Sequence, residues 1–199
     1  MYYSKKDIKI LLDKIDNGQD KFFILAIYNC IKGRSYEDLA ELKVTDINFN
    51  KKEIYVNGRT VEMDDYFVEV TKEALKQQIY HKKGDRANHK EYEINTSSEY
   101  VLRPKPCIQT ANGLAPFSPN SLPFKKTNLE KYIGEKIDIP SLYRSGLINI
   151  LIKLNMDLEI GKYRFDRLLR ELKLKGTYKD VIVEMKEVLE SKRYLEEYI

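Results

Sequence analysis

The sequence has no tryptophan and contains only two cysteines and two histidines in 199 residues. Cys30 and Cys107 lie far apart, and the chain has no CxxC or HxxxH spacing that could combine them with His81 or His89 in a metal site. Zinc sites in proteins need four such ligands, or three and a water. The sequence therefore predicts reduced thiols, no structural metal and no cofactor.

Long apolar runs are also missing. No stretch approaches the roughly 20 apolar residues that cross a bilayer, and the first residues, MYYSKKDIK, lack the apolar core of a signal peptide. The composition is 42% hydrophobic and 33% charged, which is typical of a soluble globular protein. We expect one domain over residues 1–199, a cytoplasmic location and no membrane partner.

Several helices are predicted in the first half of the chain. Ser4 and Asp7 form a capping-box pattern that begins the first helix. The segment from Asp20 to Ile31 is nearly all apolar, so it predicts a second helix that is buried on most sides. Ser35 is expected to cap a short third helix, and Thr71 to begin a fourth.

A small antiparallel sheet is predicted between the third and fourth helices. Alternating apolar residues flank Asn57-Gly58, a pair that suits a type I′ hairpin turn. We expect YFVEV, residues 66–70, to form a third strand.

The second half is predicted to begin with loops and to end with helices. HKKGDRANHKEY, residues 81–92, reads as an exposed loop, and the segment 103–123, with five of the six prolines, as irregular chain. Helices are expected near 127–136, 142–154 and 165–174, and from 178 to the C-terminus. The predicted fold class is α+β, mainly α-helical with a small antiparallel sheet.

This order of elements resembles the C-terminal catalytic domain of the tyrosine recombinases, the phage integrase family. YYSKKDIKILLDKI is similar to the first helix of that domain, FFILAIYNCIKGRSYEDLAELKVTDIN to its second and third helices, and KKEIYVNGRTVEM to its sheet. The resemblance implies the same fold, with double-stranded DNA as the partner. It also implies that the core-binding domain which normally precedes this domain is absent from the chain.

The chemistry of that family defines which residues to look for. A tyrosine hydroxyl attacks a DNA phosphate, two arginines bind the non-bridging oxygens, and a lysine and histidines serve proton transfer. Arginine suits the phosphate because its planar guanidinium binds two oxygens at once.

The first arginine opens an R-x-x-E-L pattern, and GRSYEDLAELKVTDIN aligns with it so that Ser35 takes the arginine position and Asp38 the glutamate position. A serine cannot replace a cationic donor. Arg34 lies one residue earlier, which turns its side chain by about 100° on a helix.

The second arginine lies in an H-x-L-R-H pattern. IPSLYRSGLINIL matches this frame with Arg144 as the arginine and with Ser141 and Ser145 in place of the histidines. The lysine of the hairpin has no clear equivalent, because the turn is shortened to Asn57-Gly58, although Arg59 lies nearby.

The tyrosine nucleophile is also missing from its usual place. Gly176 and Thr177 match the Gly-His pair of the family, but the usual interval from there ends near Lys186, where the chain has no tyrosine. Tyr178, Tyr194 and Tyr198 are the remaining candidates.

These departures favour a catalytically inactive, DNA-binding regulator, similar to integrase-like phage repressors that maintain lysogeny in the host cytoplasm at the nucleoid. The net charge of +4 is compatible with a polyanion partner. The residues expected to contact DNA are Arg34, Lys43, Arg59, Lys82, Lys83, Arg86, Lys90, Arg144, Arg164 and Arg167. Basic loops such as residues 82–90 are most often solvated surface, and the basic face of residues 164–175 is equally consistent with a solvated helix face.

Two alternatives remain open. One is an active, divergent recombinase that uses Arg34, Arg144 and either Tyr194 or Tyr198. The other is a protein-interaction module whose basic face is incidental. The apolar positions of the last helix, which include Val181, Met185 and Leu195, either cover the chain's own core or contact a second protomer as a homo-oligomer.

Overall fold

The computed structural model describes residues 1–82 and 91–198. Its α-helices are α1 (Lys5–Leu12), α2 (Gly18–Tyr28), α3 (Glu37–Ala40), α4 (Asp65–Lys76), α5 (Leu122–Ile133), α6 (Ile139–Lys153), α7 (Lys162–Glu171) and α8 (Tyr178–Ser191). Its strands are β1 (Ile47–Asn48), β2 (Glu53–Val56), β3 (Arg59–Glu62), β4 (Ile79–His81) and β5 (Glu91–Glu93). Short 3-10 helices lie at Val44–Asp46, Ile108–Gly113, Pro119–Ser121 and Arg193–Leu195.

Helix α2 lies at the centre of the fold and packs against α4 and α6. Its apolar side chains, including Phe22 and Phe23, are fully buried. The predicted burial of this helix is therefore confirmed, and so is the capping box of α1, in which Ser4 and Asp7 exchange hydrogen bonds. Helix α1 ends at Leu12, and a turn leads into α2.

The hairpin is confirmed as well. Strands β2 and β3 pair antiparallel with Ile54 opposite Val61, and the connecting Asn57 and Gly58 have φ angles of 49° and 69°. Two consecutive residues in the left-handed region are what a type I′ turn requires. The turn chemistry is local, so the sequence predicts it directly.

The predicted strand at residues 66–70 is wrong, because this segment belongs to α4. The Asp64 side chain accepts a hydrogen bond from the backbone N–H of Phe67 and caps the helix. Phe67, Val70 and Ala74 then lie on one buried face, as helical spacing requires. The third strand of the sheet is β1, which pairs with β2 ahead of the hairpin.

Ser35 does not cap α3. The residue before the helix is Tyr36, whose backbone is left-handed with φ of 70°, and the helix has only four residues.

The segment expected to be a loop at 81–92 begins and ends in strands. His81 closes β4, and β5 pairs with β4 so that the rings of Tyr80 and Tyr92 stack 5.0 Å apart. The Asn17 side chain holds the end of β4, because it accepts a hydrogen bond from the backbone N–H of His81 and donates one to its carbonyl. This long-range contact carries no signal in the local sequence.

The four helices predicted for the second half are present, but the last one, α8, ends at Ser191 and does not continue to the C-terminus as expected. Helix α5 begins earlier than predicted, at Leu122, with Pro123 in its first turn, where a missing N–H costs nothing. Helices α6, α7 and α8 enclose a second apolar cluster that contains Leu147, Phe165 and Met185. The predicted α+β class, mainly helical with small antiparallel sheets, is confirmed.

Helix α8 turns its apolar face toward this second cluster, where Val181, Met185 and Val188 are buried. In this structure that face covers the chain's own core. Of the described helices, none has the length and apolar character needed to cross a bilayer.

Candidate functional site

A pocket of about 420 Å³ opens where five segments of the chain meet. These segments are the C-terminal end of α2, the turn before α3, the β2–β3 turn, the start of α6, and the connection between α7 and α8. Four of them are the segments that align with the catalytic motifs of the recombinases. The fold therefore brings together the places where the family's active-site residues would lie.

The pocket contains more positive than negative side chains. Lys32, Arg34, Lys173 and Lys175 line it, against the carboxyl groups of two neighbouring acidic residues. The ammonium group of Lys32 lies 4.6 Å from the centre of the Tyr36 ring. The excess of positive side chains favours an anionic ligand.

The two acidic residues of the pocket differ in environment. The Glu37 carboxylate accepts hydrogen bonds from the backbone N–H groups of Arg34, at 2.7 Å, and Ser35, and these bonds hold the pKa of Glu37 below its usual value. Burial, followed by the neighbouring charge of Glu37, raises the pKa of Asp38. Glu37 is therefore the firmly ionised member of the pair.

Arg34 is exposed and lines the pocket, whereas Ser35, which takes the aligned arginine position, does not. The turn before α3 is not helical, so the one-residue offset that separates them along the sequence does not prevent Arg34 from reaching this site.

Arg144 lies outside the pocket. Its guanidinium pairs with the carboxylate of Glu184 on α8 and donates a hydrogen bond of 3.2 Å to the Ser141 hydroxyl. Its neighbour Tyr143 lines the pocket instead, since consecutive helical residues point about 100° apart. The structure thus does not bring Arg34 and Arg144 together.

The two serines in the histidine positions support the start of α6. The Ser141 hydroxyl donates a hydrogen bond of 2.6 Å to Asp138, the N-cap residue. Ser145 donates to the carbonyl of Ser141 and accepts from the backbone N–H of Tyr3. Neither serine is among the residues that line the pocket.

Tyr143 and Arg59 have structural partners at the pocket. The Tyr143 hydroxyl accepts a hydrogen bond of 3.3 Å from the backbone N–H of Lys175, and burial raises the pKa of Tyr143 to about 12. The Arg59 guanidinium donates a hydrogen bond of 2.8 Å to the carbonyl of Cys30. Arg59 therefore supports the wall of the pocket through the backbone.

The candidate nucleophiles near the C-terminus do not line the pocket. The Tyr178 hydroxyl donates to the carbonyl of Ile160, and Tyr194 packs against the second apolar cluster. The Tyr198 ring lies 4.3 Å from the ring of Tyr66, and burial raises the pKa of its hydroxyl. A raised pKa disfavours the phenolate that nucleophilic attack requires.

The other predicted DNA contacts are spread over the surface. Lys43 pairs with Glu99 at 3.2 Å, and Lys82 lies over the Tyr92 ring near the start of α2. Lys82 is therefore distant from the pocket, which lies at the C-terminal end of α2, because this helix is about 17 Å long. Lys83, Arg86 and Lys90 lie outside the described residues.

Helix α7 carries the remaining two predicted contacts. Arg164 and Arg167 are both exposed, and Arg167 forms an i, i+4 ion pair of 2.9 Å with Glu171. Lys173 follows this helix and lines the pocket, so the basic side chains continue from α7 toward the pocket.

Six charged or aromatic residues that line the pocket are not among the site residues predicted from the sequence: Lys32, Tyr36, Glu37, Tyr143, Lys173 and Lys175. Each lies within three residues of a position that the motif alignment identified. Looking at the neighbours of each aligned position would have found them, because the alignment gives the segment correctly but not which side chain faces the pocket.

Comparisons with known proteins support the fold and the order of its segments rather than the roles of individual side chains. No curated protein matches the chain. The crystal structure of XerA recombinase superposes with a TM-score of 0.60 at 15% sequence identity, over 98% of this chain and 64% of the XerA chain. The chain thus spans less than two thirds of the length of XerA.

A family described as the MrpR C-terminal catalytic domain matches residues 2–196. Its match covers nearly the whole chain, and the structural similarity to XerA confirms the predicted tyrosine-recombinase fold. The chain therefore belongs to the family of MrpR C-terminal catalytic domains, and it is an integrase-like domain with the tyrosine-recombinase fold.

Proposed function

We propose that this domain binds double-stranded DNA without cutting it and serves as a regulator, namely a phage lysogeny repressor. The observation that carries the proposal is the composition of the pocket. It retains four cationic side chains where the motif segments meet, yet the second arginine lies outside it and Tyr143 takes its place.

The cationic groups suit the DNA backbone. Arg34 and Lys175 are exposed, and no ion pair is found for either in residues 1–82 and 91–198. Their charges are therefore available to neutralise phosphates. Arg164 and Arg167 on α7 extend this basic surface. Such contacts give affinity and position on the duplex, while sequence is read by other contacts with the bases.

The absence of strand transfer is supported by the same geometry. The chemistry needs two guanidinium groups on one phosphate and a hydroxyl in line with it. Arg144 is paired with Glu184, and burial raises the pKa of both tyrosines that line the pocket, Tyr36 and Tyr143. A protein that occupies DNA and leaves it intact is suited to repression.

The duplex affinity of the 199-residue chain is expected to fall steeply as salt is added, because each neutralised phosphate releases counterions. Replacing Arg34 and Lys175 with glutamine should lower the affinity and reduce the slope of log K against log salt by about 2. Fluorescence anisotropy with a labelled duplex at several salt concentrations measures both quantities.

The matched control for this experiment replaces Lys51 and Lys153 with glutamine, which removes the same charge. Both lysines are exposed, and Lys153 lies at the far end of α6, about 20 Å along the helix from Ile139. The control should keep most of the salt slope. A flat salt titration of the unmodified chain, or equal losses in the two double variants, contradicts phosphate binding at the pocket.

An active recombinase is the second candidate, favoured by the presence of Arg34, Lys173 and Lys175 in one pocket. The proposed function predicts no covalent product with a nicked suicide duplex that traps a 3′-phosphotyrosine. Denaturing electrophoresis of the labelled duplex provides the measurement. A trapped adduct that disappears in Tyr194→Phe or Tyr198→Phe establishes the enzyme instead.

The structure does not favour a homo-oligomer through α8, because the apolar face of this helix covers the chain's own second cluster. Large apolar side chains that stay more than half exposed in this region are Val183 and Leu195. We infer that DNA binding at the pocket does not depend on an α8 dimer.

A further inference from the structure

We propose that the Glu37 carboxylate occupies the position of a DNA phosphate in the pocket and competes with it, so that Glu37 limits the affinity of the domain for DNA. The inference rests on the proposed DNA-binding function and adds a regulatory residue to the same site. Glu37 takes no part in the motif alignment.

Both oxygens of the Glu37 carboxylate accept hydrogen bonds from adjacent backbone amides. One oxygen accepts from the N–H of Arg34 at 2.7 Å, and the other from the N–H of Ser35. Two adjacent amides that converge on an anion form the kind of concavity that also binds phosphate. A phosphate presents the same pair of acceptor oxygens, so it fits the donors that the carboxylate now occupies.

The charges around Glu37 support an exchange of anions. The positive charge of Lys175 contributes to the lowered pKa of Glu37, and the negative charge of Glu37 acts on Lys32. Within the described part of the chain, neither lysine forms an ion pair with Glu37 inside 4 Å. The lysines therefore lie close enough to attract an anion but are not fixed to this one.

The partial exposure of the Glu37 side chain is also compatible with exchange. Glu37 is partly exposed, so its carboxylate has a route to water when the two amides accept another partner. Asp38 is less suited to this role, because its side chain packs against the backbone of Gly33 and its carboxyl has a raised pKa. Competition for the phosphate position thus belongs to Glu37.

Glu37→Gln separates this role from a structural one. The amide oxygen of glutamine still accepts from a backbone N–H and supports the turn, while the negative charge is removed. Glu41→Gln is the matched control, since Glu41 is exposed, follows α3 directly and does not line the pocket. Both variants raise the net charge by one.

We expect Glu37→Gln to increase duplex affinity about 5-fold, and Glu41→Gln less than about 2-fold, because only the former removes a like charge next to the bound phosphate. Anisotropy at fixed salt measures the ratio. Equal increases in the two variants indicate a general charge effect and overturn the proposal.

A titration with inorganic phosphate tests the site without DNA. In ¹H–¹⁵N NMR spectra, the backbone amides of Arg34 and Ser35 should respond more strongly to phosphate in Glu37→Gln than in the unmodified chain. An equal or weaker response in the variant overturns the proposal. If no form of the chain binds duplex DNA, the proposed function fails, but this titration still decides the role of Glu37.

Discussion

Gly146→Ala is expected to destabilise the protein by about 3 kcal/mol or more, through overpacking at a contact that cannot relax. A Cβ atom on Gly146 would lie 1.6 Å from the carbonyl oxygen of Tyr28 and 2.7 Å from its carbonyl carbon. Both atoms are backbone at the end of α2, the most buried helix. The substitution therefore forces α2 and α6 apart.

Thermal unfolding followed by circular dichroism measures this loss, which corresponds to about 10 °C in Tm for a chain of this length. Gly161→Ala is the control. Its Cβ would meet nothing within 4 Å, and its φ of −69° suits any residue. If the two variants unfold at similar temperatures, the close packing of α6 on Tyr28 is contradicted.

A second large effect is expected at the buried ion pair between Lys125 and Asp20. Their side chains are 8% and 4% exposed, and Asp20 also accepts a hydrogen bond of 2.7 Å from the Tyr80 hydroxyl. Lys125→Met leaves a buried carboxylate without its cation. The free energy of unfolding should fall by about 3–5 kcal/mol, because burying an unpaired charge destabilises the fold by far more than the intact pair stabilises it.

Urea unfolding of the single and double variants measures this coupling. Asp20→Asn combined with Lys125→Met should recover part of the loss, since no charge then remains buried. Lys14→Met is the control. Lys14 pairs with Glu135 with both side chains 43% exposed, so its loss should cost less than about 1 kcal/mol. Equal effects at Lys14 and Lys125 contradict a special role for the buried pair.

This ion pair also joins segments that lie far apart in the sequence. Lys125 lies near the start of α5, Asp20 lies in α2, and Tyr80 lies in β4. The sequence predicts that α2 is apolar and buried, but it does not identify Asp20 as the carboxylate buried within it. Buried charges of this kind depend on three segments meeting in space.

The elements that the sequence predicts correctly have local causes. The capping box at Ser4 and the turn at Asn57-Gly58 depend on bonds and backbone angles within four residues. The strand prediction for residues 66–70 is wrong for the opposite reason. Its aromatic and β-branched residues favour a strand, but the Asp64 cap and the packing of Phe67 under α2 decide for a helix.

Local patterns in the sequence are enough to predict the mainly helical fold, the family and four of the five segments that form the pocket. Which side chains enter the pocket depends on how the helices pack against one another. Gly146 lets α6 approach Tyr28, and this contact fixes the rotation of the helix. Tyr143, three residues before Gly146, then faces the pocket, while Arg144 points about 100° away toward Glu184. A motif specifies positions along the chain, whereas the direction of a side chain is set by what its helix packs against.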